Sequence, residues 1–223
     1  MMKLNQTILS VTVAFMLALS LLVSPTYAQS QEREITDLFQ AWSQVTSEKK
    51  SFKEEQYDPL LDLAHTQFGT LVYQAPDQLE QHYETPLSGV IVVTSTLIKI
   101  DFPNRKLEFS VDSSPEIVAF SQLFLNLLNG RLDRLQNDFN VTFTASPPPK
   151  STAKNNQHDA NDEPEWQLIL TPTSSLKHHI QRVQVVGVQT QIQSILLTQR
   201  SGEWRKITLQ EPQTQPANLG AVK

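Results

Sequence analysis

The sequence predicts an α+β fold in which one antiparallel sheet is combined with a few helices. Most of the chain consists of short segments in which apolar and polar residues alternate, the period of a strand with one buried face. Short turn signals such as Pro103-Asn104 and Ser201-Gly202 separate these segments. Such connections favour antiparallel pairing, because a parallel crossover needs a dozen residues or more. Segments with helical periodicity stand before the strands and between them.

The N-terminus predicts a secretory signal over residues 1–28 that is cleaved after its last residue. Lys3 supplies a positive charge, and the run from Ile8 to Val23 contains no charged residue. Thr26 and Ala28 are small residues three and one positions before the cut, as signal peptidase requires. An uncleaved membrane anchor is the alternative, but this apolar run of about 16 residues is shorter than the roughly 20 that a spanning helix needs.

Residues 29–211 are long enough to form a single domain with its own core. Within that domain, residues 146–165 are predicted to be a polar flexible insertion, because Pro147-Pro148-Pro149 is followed by no large apolar residue before Trp166. Residues 212–223 are predicted to be a mobile C-terminal tail.

The first predicted helix of the mature chain is amphipathic and about four turns long, because one face collects Ile35, Leu38, Phe39, Trp42 and Val45. Ser51 to Tyr57 is predicted to be a short edge strand. The further strand segments begin around Leu71 and Leu79 and continue over Val90 to Ile100, Leu107 to Val111, Glu165 to Thr171, Ile180 to Val188, Gln191 to Gln199 and Glu203 to Leu209.

The most apolar predicted helix runs from Pro115 to Leu128. Ser114 can cap its N-terminus, proline fits the first helical position, and Gly130 can close the C-terminus. Nearly its whole circumference is apolar, which indicates that it avoids water on most sides. A second short helix is predicted over Leu132 to Asn137.

Composition and charge exclude several classes of function. The chain has no cysteine, which excludes disulfides, thiolate metal sites and a lipid anchor on a cysteine behind the signal. Its formal net charge is −5, and no basic stretch is longer than a pair such as Lys49-Lys50. Nucleic acid is therefore not an expected partner, because phosphate backbones are bound by clustered Lys and Arg.

No local motif predicts catalysis, a metal site or a cofactor. The chain contains no Gly-x-Ser-x-Gly elbow. His178-His179 are neighbours at a predicted strand entry, so their side chains are expected to point to opposite faces and not to share a metal. The lone residues His65, His82 and His158 are expected to be ordinary surface or satisfied histidines. We therefore expect a protein that is not an enzyme and needs no cofactor.

Several motifs, each weak alone, occur together in one order. They are Phe52-Lys53-Glu54, Pro59-Leu60, Gly69 to Glu80, Pro86, Leu127 to Gly130 with Leu135 and Phe139, and Trp166 to Pro172, followed by hairpins to Leu209. This ordered set covers nearly the whole mature chain and resembles the LolA-like periplasmic carrier family. The resemblance implies an incomplete antiparallel β-barrel whose helices cover a concave apolar face, and a cavity there that holds acyl chains.

The same resemblance implies a function and a set of partners. The chain is expected to be a soluble periplasmic carrier of a lipoprotein, lipid or glycolipid, monomeric, meeting an inner-membrane exporter and an outer-membrane acceptor transiently. The residues expected to bind lipid are Leu38, Phe39, Trp42, Leu71, Tyr73, Leu79, Tyr83, Ile117, Phe120, Leu123, Phe124, Leu127, Trp166 and Leu168.

One position departs from the family pattern. Lipoprotein carriers of this family keep an arginine before the proline that follows the glycine-led strand, and this chain has Ala75 there. The departure places the chain in a divergent LolA-related branch. The alternative function is a non-enzymatic envelope protein-interaction or structural module, in which the same apolar side chains simply fill a core.

Overall fold

The computed structural model describes residues 26–110, 115–145, 166–173 and 175–211, without the side chains of residues 26–32 and 115–121. Most of the predicted signal, the predicted insertion and the predicted tail lie outside these residues. The chain divides by its contacts into residues 1–34 and residues 35–223. The packing described below belongs to the second unit.

An antiparallel sheet of eleven strands forms the framework of the described chain, in the order β6-β5-β4-β3-β2-β1-β11-β10-β9-β8-β7. Because β6 and β7 stand at opposite ends of this order, the sheet is open. The strands are β1 (Ser47–Asp58), β2 (Leu63–Gln74), β3 (Gln78–Thr85), β4 (Gly89–Val93), β5 (Leu97–Phe102), β6 (Arg105–Ser110), β7 (Phe139–Ala145), β8 (Trp166–Pro172), β9 (Ile180–Val188), β10 (Gln191–Gln199) and β11 (Trp204–Gln210).

Three α-helices accompany the sheet: α1 (Thr26–Ser43), α2 (Pro115–Leu128) and α3 (Leu132–Asp138). The α+β class, the open antiparallel sheet and the predicted helices are therefore confirmed. The helix α1 ends before Val45, which the sequence pattern had placed on its apolar face.

The strand β1 lies in the middle of the sheet, where it pairs with β2 on one side and β11 on the other. The prediction of a short edge strand was therefore wrong. Its sequence is mostly polar, but Phe52 and Glu54 are both buried, and Glu54 is ion-paired. A central strand tolerates such residues when their charges are compensated, which the pattern of residues alone does not show.

The predicted segment from Val90 to Ile100 is in fact two strands, β4 and β5. The turn between them is held by Thr94, whose hydroxyl oxygen accepts the amide of Leu97 at 2.9 Å. The β-branched side chain of Thr94 fits a strand pattern, and the turn contains no Gly or Pro. The sequence pattern therefore gave no sign that the strand is interrupted here. His178 also differs from expectation, because it ends a short 3₁₀ helix (Ser175–His178) before β9.

Most buried side chains of α1, α2 and β7 to β10 form one cluster, which we call the packed core. It consists of Ile35, Leu38, Phe39, Trp42, Leu123, Leu127, Leu135, Phe139, Trp166, Leu168, Leu170, Leu176, Ile180, Val183, Val185, Ile195 and Leu197. A second cluster lies under the other half of the sheet. Its members are Phe52, Leu71, Tyr73, Leu79, Tyr83, Leu125 and Ile207.

The turn after α2 fixes that helix against α1. Gly130 adopts a positive φ of 65°, a conformation that glycine reaches without strain and that commonly closes a helix. A Cβ atom at this position would collide with the carbonyl oxygen of Phe39. The predicted role of Gly130 as the end of the helix is thus confirmed, and the glycine also permits close packing of the two helices.

Among the described residues, none of the helices combines the length and the apolar character that a bilayer span requires.

Candidate functional site

A cavity of about 430 Å³ lies between the second cluster, the border of the packed core and the inner face of the sheet. On the sheet, its apolar wall comes from strands β2 to β6, β10 and β11, which therefore curve around it. The apolar side chains on this wall are Ala41, Trp42, Val45, Leu71, Tyr73, Leu79, Ile91, Val93, Ile98, Ile100, Phe109, Phe124, Leu128, Ile192, Ile195, Leu197, Trp204, Ile207 and Leu209.

The strand register explains why these residues share one wall. Leu79 pairs with Tyr73 on one neighbouring strand and with Val93 on the other, and Val93 in turn pairs with Ile98. Side chains of directly paired residues stand on the same face of a sheet. Because Ile98 also pairs with Phe109, one row of inward-facing apolar groups crosses from β2 to β6.

The cavity is polar at both ends. Glu48 and Lys50 from the start of β1 line one end, which we call the lysine end. Gln56 from the end of β1 lines the other, together with Gln199 and Arg205, and we call this the arginine end. Because β11 runs antiparallel to β1 and pairs Arg205 with Gln56, these groups meet at the same end of their strands.

At the lysine end, the ammonium of Lys50 forms ion pairs with Glu48, at 3.5 Å, and with Glu211. Burial by itself lowers the pKa of Lys50, but the hydrogen bond to Glu211 and the charge of Glu48 outweigh it, so that the pKa of this ammonium is raised. Lys50 is therefore charged and already compensated by two carboxylates.

At the arginine end, three polar groups form a chain. The Tyr83 hydroxyl donates to Oε2 of Glu54 at 2.9 Å, and Nε of Arg205 lies 3.4 Å from Oε1 of the same carboxylate. Burial, followed by the nearby charge of Glu54, raises the pKa of Tyr83. The phenol of Tyr83 therefore keeps its proton and donates to the buried carboxylate of Glu54, which also forms an ion pair with Arg205.

Two tryptophans of the packed core meet beside the cavity. Their indole N–H groups donate to neighbouring carbonyls of the β9–β10 turn: Trp42 to Thr190 at 2.8 Å and Trp166 to Gln189 at 2.7 Å. The two rings meet edge to face with centroids 5.6 Å apart. Trp42 of α1 is thereby fixed to the sheet, with part of its surface on the cavity wall.

Asn129 joins the end of α2 to the sheet beside the cavity. Its side-chain oxygen accepts the Tyr73 hydroxyl at 2.8 Å, and its amide nitrogen donates to the carbonyl of Pro76 at 2.7 Å and to that of Leu125. Burial raises the pKa of Tyr73, against a smaller opposing effect of Arg131. The hydrogen bonds that join strand and helix thus lie next to Ala75, where the family pattern has an arginine.

The structure places the predicted lipid-binding residues in different surroundings. Trp42, Leu71, Tyr73, Leu79 and Phe124 line the cavity. Those in the packed core and away from the cavity wall are Leu38, Phe39, Leu123, Leu127, Trp166 and Leu168, and Tyr83 belongs to the second cluster. The side chains of Ile117 and Phe120 lie outside the description. Lipid binding by any of them stays a prediction.

Sequence reasoning did not identify the cavity residues of β4 to β6, β10 and β11. Ile91, Val93, Ile98 and Ile100 alternate correctly for an inner face, but the missed turn at Thr94 concealed the pairing of their strands. Arg205 and Asn129 were also missed, since an isolated arginine or asparagine has no periodic signal. Only the strand register brings such residues to the cavity.

No group of three or more histidine, aspartate or glutamate side chains that could hold a metal ion occurs within the part of the chain that the structure describes.

Neither a scan against protein-family models nor a search of curated proteins gives a match. Solved structures resemble the fold at 8% sequence identity. A LolA superfamily protein from Nitrosomonas europaea gives a TM-score of 0.37, with 82% of this chain and 94% of that chain covered. A DUF1329 family protein from Desulfovibrio piger gives 0.43 with the same coverage.

An outer membrane lipoprotein-sorting protein domain from Vibrio parahaemolyticus gives a TM-score of 0.39 at 8% identity, with 83% of this chain and 94% of that chain covered. LolA-like proteins thus occur among the solved structures that this fold resembles.

Proposed function

We propose that this protein is a periplasmic carrier that holds an acyl chain of a lipoprotein, lipid or glycolipid in the cavity and shuttles it toward the outer membrane. The single observation that carries the proposal is the cavity of about 430 Å³ with its continuous apolar wall. A well-packed domain has few voids larger than a water molecule, so a space of this size needs an occupant or a purpose.

The energetics of burial suit this function. Each CH₂ group removed from water contributes about 0.8 kcal/mol, so a long acyl chain resists crossing water by roughly ten kcal/mol or more. A wall of aliphatic and aromatic side chains offsets this cost without directional contacts. The cargo is therefore held by its chain, and the proposal assigns no catalytic step to the protein.

Release needs an element that changes position, because a carrier that only binds does not deliver. The helix α2 suits this role. Phe124 and Leu128 lie on the cavity wall, and the helix is joined to the sheet at its C-terminal end through Asn129. Under the proposal, an inner-membrane exporter loads the cavity and an outer-membrane acceptor empties it, each by favouring one position of this helix.

A charged residue on the cavity wall tests the proposal. We expect Phe124→Glu to leave the protein folded and to weaken binding of a fluorescent acyl probe at least about tenfold, because the carboxylate places a charge where the chain would lie. Asn126→Glu is the matched control, since Asn126 is half-buried on the same helix but does not line the cavity.

Titration of both variants with the probe, beside circular dichroism for the fold, gives the answer. Equal probe affinity in Phe124→Glu and the unaltered protein would argue against an acyl chain in this cavity. Failure of the unaltered protein to bind the probe, together with lipid-free extracts of gently purified protein, would reject the carrier function itself.

A protein-interaction module is the second candidate, and one observation favours it. The β1–β2 turn and the first residue of β2 expose Leu60, Leu61 and Leu63, with 90%, 70% and 54% of their surfaces accessible. Adjacent exposed leucines are typical of contact sites. Under this candidate, Leu60→Ser with Leu61→Ser would abolish capture of an envelope protein and leave acyl-probe affinity unchanged.

A further inference from the structure

The arginine end of the cavity contains a cation that its surroundings compensate only in part. Nε of Arg205 faces the carboxylate of Glu54 at 3.4 Å, while the side chain lines the cavity and keeps about a third of its surface exposed. A guanidinium carries five N–H donors. Within the described chain, no hydrogen bond or second ion pair engages the remaining nitrogens of Arg205.

The carboxylate that pairs with Arg205 is itself fixed in position. Glu54 is almost fully buried, and its other oxygen accepts the Tyr83 hydroxyl at 2.9 Å. The carboxylate therefore cannot swing out to cover the terminal nitrogens of Arg205. Glu203 also lines this end, but it makes no ion pair with the arginine within the described residues.

The cation at the lysine end has two carboxylate partners, whereas Arg205 has one. Lys50 lies between Glu48 and Glu211, so both carboxylates compete with any anion that approaches it. A guanidinium is also the better partner for a carboxylate or phosphate, because its planar fork can donate two parallel hydrogen bonds. An anionic ligand group is therefore directed to Arg205.

The volume limits the apolar part of the ligand. A methylene group occupies about the space of a water molecule, roughly 30 Å³, so about 14 such groups fill the cavity of about 430 Å³. That is the size of one long acyl chain.

We propose that the cavity binds an amphiphile with a single acyl chain and an anionic headgroup, either a carboxylate or a phosphate, and that the headgroup pairs with Arg205. This inference rests on the proposed acyl-chain function and adds the ligand class. The chain lies along Leu71, Ile98 and Ile207, and the headgroup lies at the arginine end, near Gln56 and Gln199.

Calorimetric titration of the full-length protein with four ligands, each delivered from a cyclodextrin complex at matched cyclodextrin concentration, tests this inference. The ligands are hexadecanoate, hexadecanol, a monoacyl phosphatidate and a diacyl phosphatidylglycerol. We expect hexadecanoate or the monoacyl phosphatidate to bind at least about tenfold more tightly than hexadecanol, because charge-assisted hydrogen bonds are stronger than neutral ones. The relative affinities of the two anions identify the headgroup as carboxylate or phosphate.

Variants assign the preference to Arg205. Arg205→Gln is expected to remove the advantage of the anions and to keep the affinity for hexadecanol. Lys206→Gln changes the charge equally at the next residue, which is exposed on the outer face, and is expected to retain the advantage. Because Arg205→Gln leaves Glu54 buried without its cation, the double variant Glu54→Gln with Arg205→Gln serves if the single variant does not fold.

The outcomes separate the two proposals. Equal binding of hexadecanoate, monoacyl phosphatidate and hexadecanol would overturn the anionic headgroup and leave the carrier function standing. Binding of the diacyl lipid as tightly as the single-chain anions would overturn the single chain. Failure of all four ligands to bind would reject both this inference and the proposed function.

Discussion

The strands β8 and β9 and the strands β4 and β5 both direct apolar side chains inward at every second residue, yet their surroundings differ. Leu168, Leu170 and Val185 are fully buried beneath side chains of α1 and α2. Ile91 and Ile98 occupy the equivalent face on the other half of the sheet and remain partly exposed on the cavity wall. Whether an apolar strand face becomes core or cavity is therefore decided by the helix side chains opposite it.

The largest expected difference between the two halves is in stability. We expect Leu168→Ala to lower the free energy of unfolding by about 2 to 5 kcal/mol, because it opens a void inside the packed core. Ile98→Ala removes the same kind of surface from a wall that already faces open space, and we expect a loss below about 1.5 kcal/mol. Urea unfolding with unchanged m-values measures both changes.

Equal losses for the two variants would contradict the distinction between a filled half and an open half. A loss for Ile98→Ala that matches Leu168→Ala would mean that β5 is packed as densely as β8, and the cavity would not persist in solution.

The hydrogen bonds of Asn129, which join the end of α2 to the sheet, have an intermediate expected effect on stability. Asn129→Ala leaves the Tyr73 hydroxyl without its acceptor and the Pro76 carbonyl without its donor. An unsatisfied buried polar group costs about 1 to 3 kcal/mol, and we expect a loss of this size in the free energy of unfolding. Asn126→Ala, on the preceding turn of α2, is the control and should cost less than about 0.5 kcal/mol.

Amide hydrogen exchange distinguishes a loosened helix from a uniformly weakened protein. In Asn129→Ala, we expect exchange in α2 to accelerate more than exchange in β8 and β9, since the missing contacts join this helix to the sheet. Equal acceleration throughout would show that Asn129 supports the fold generally and does not control the position of α2.

The fold class and the helices followed from the sequence because both rest on local patterns. The period of α1 and the proline and glycine at the ends of α2 are local signals, and the structure confirms them. The central position of β1 could not be predicted, because Glu54 is acceptable inside only through Arg205, a partner about 150 residues away. The turn at Thr94 was missed for lack of a Gly or Pro.

The candidate site was predictable only in part. The pattern identified Leu71 and Tyr73 correctly as inward-facing residues, and the structure places them on the cavity wall. It did not distinguish them from Leu168, which also faces inward but is buried in the packed core. That distinction depends on the three-dimensional placement of helix side chains. Arg205 and Asn129 required the strand pairing and the helix position together, so no single segment of the sequence could point to them.

The smallest expected effect concerns the ion pairs of Lys50 at the lysine end of the cavity. Because the carboxylates of Glu211 and Glu48 raise the pKa of Lys50 in spite of its burial, the folded protein holds this proton more tightly than the unfolded chain. The stabilisation is therefore complete below the ordinary lysine pKa of about 10.4 and disappears as the pH rises through the raised value.

We accordingly expect Lys50→Met to lower the free energy of unfolding by roughly 0.2 to 1 kcal/mol at pH 8, with the difference shrinking above about pH 10.5. Lys49→Met is the control, since Lys49 is exposed and points away from the cavity. Urea unfolding of the variants and the unaltered protein across this pH range measures the difference. The titration of the tyrosines cancels in it, because all the proteins compared contain the same tyrosines. A difference that persists unchanged at high pH would mean that the charge of Lys50 is not what stabilises this end of the cavity.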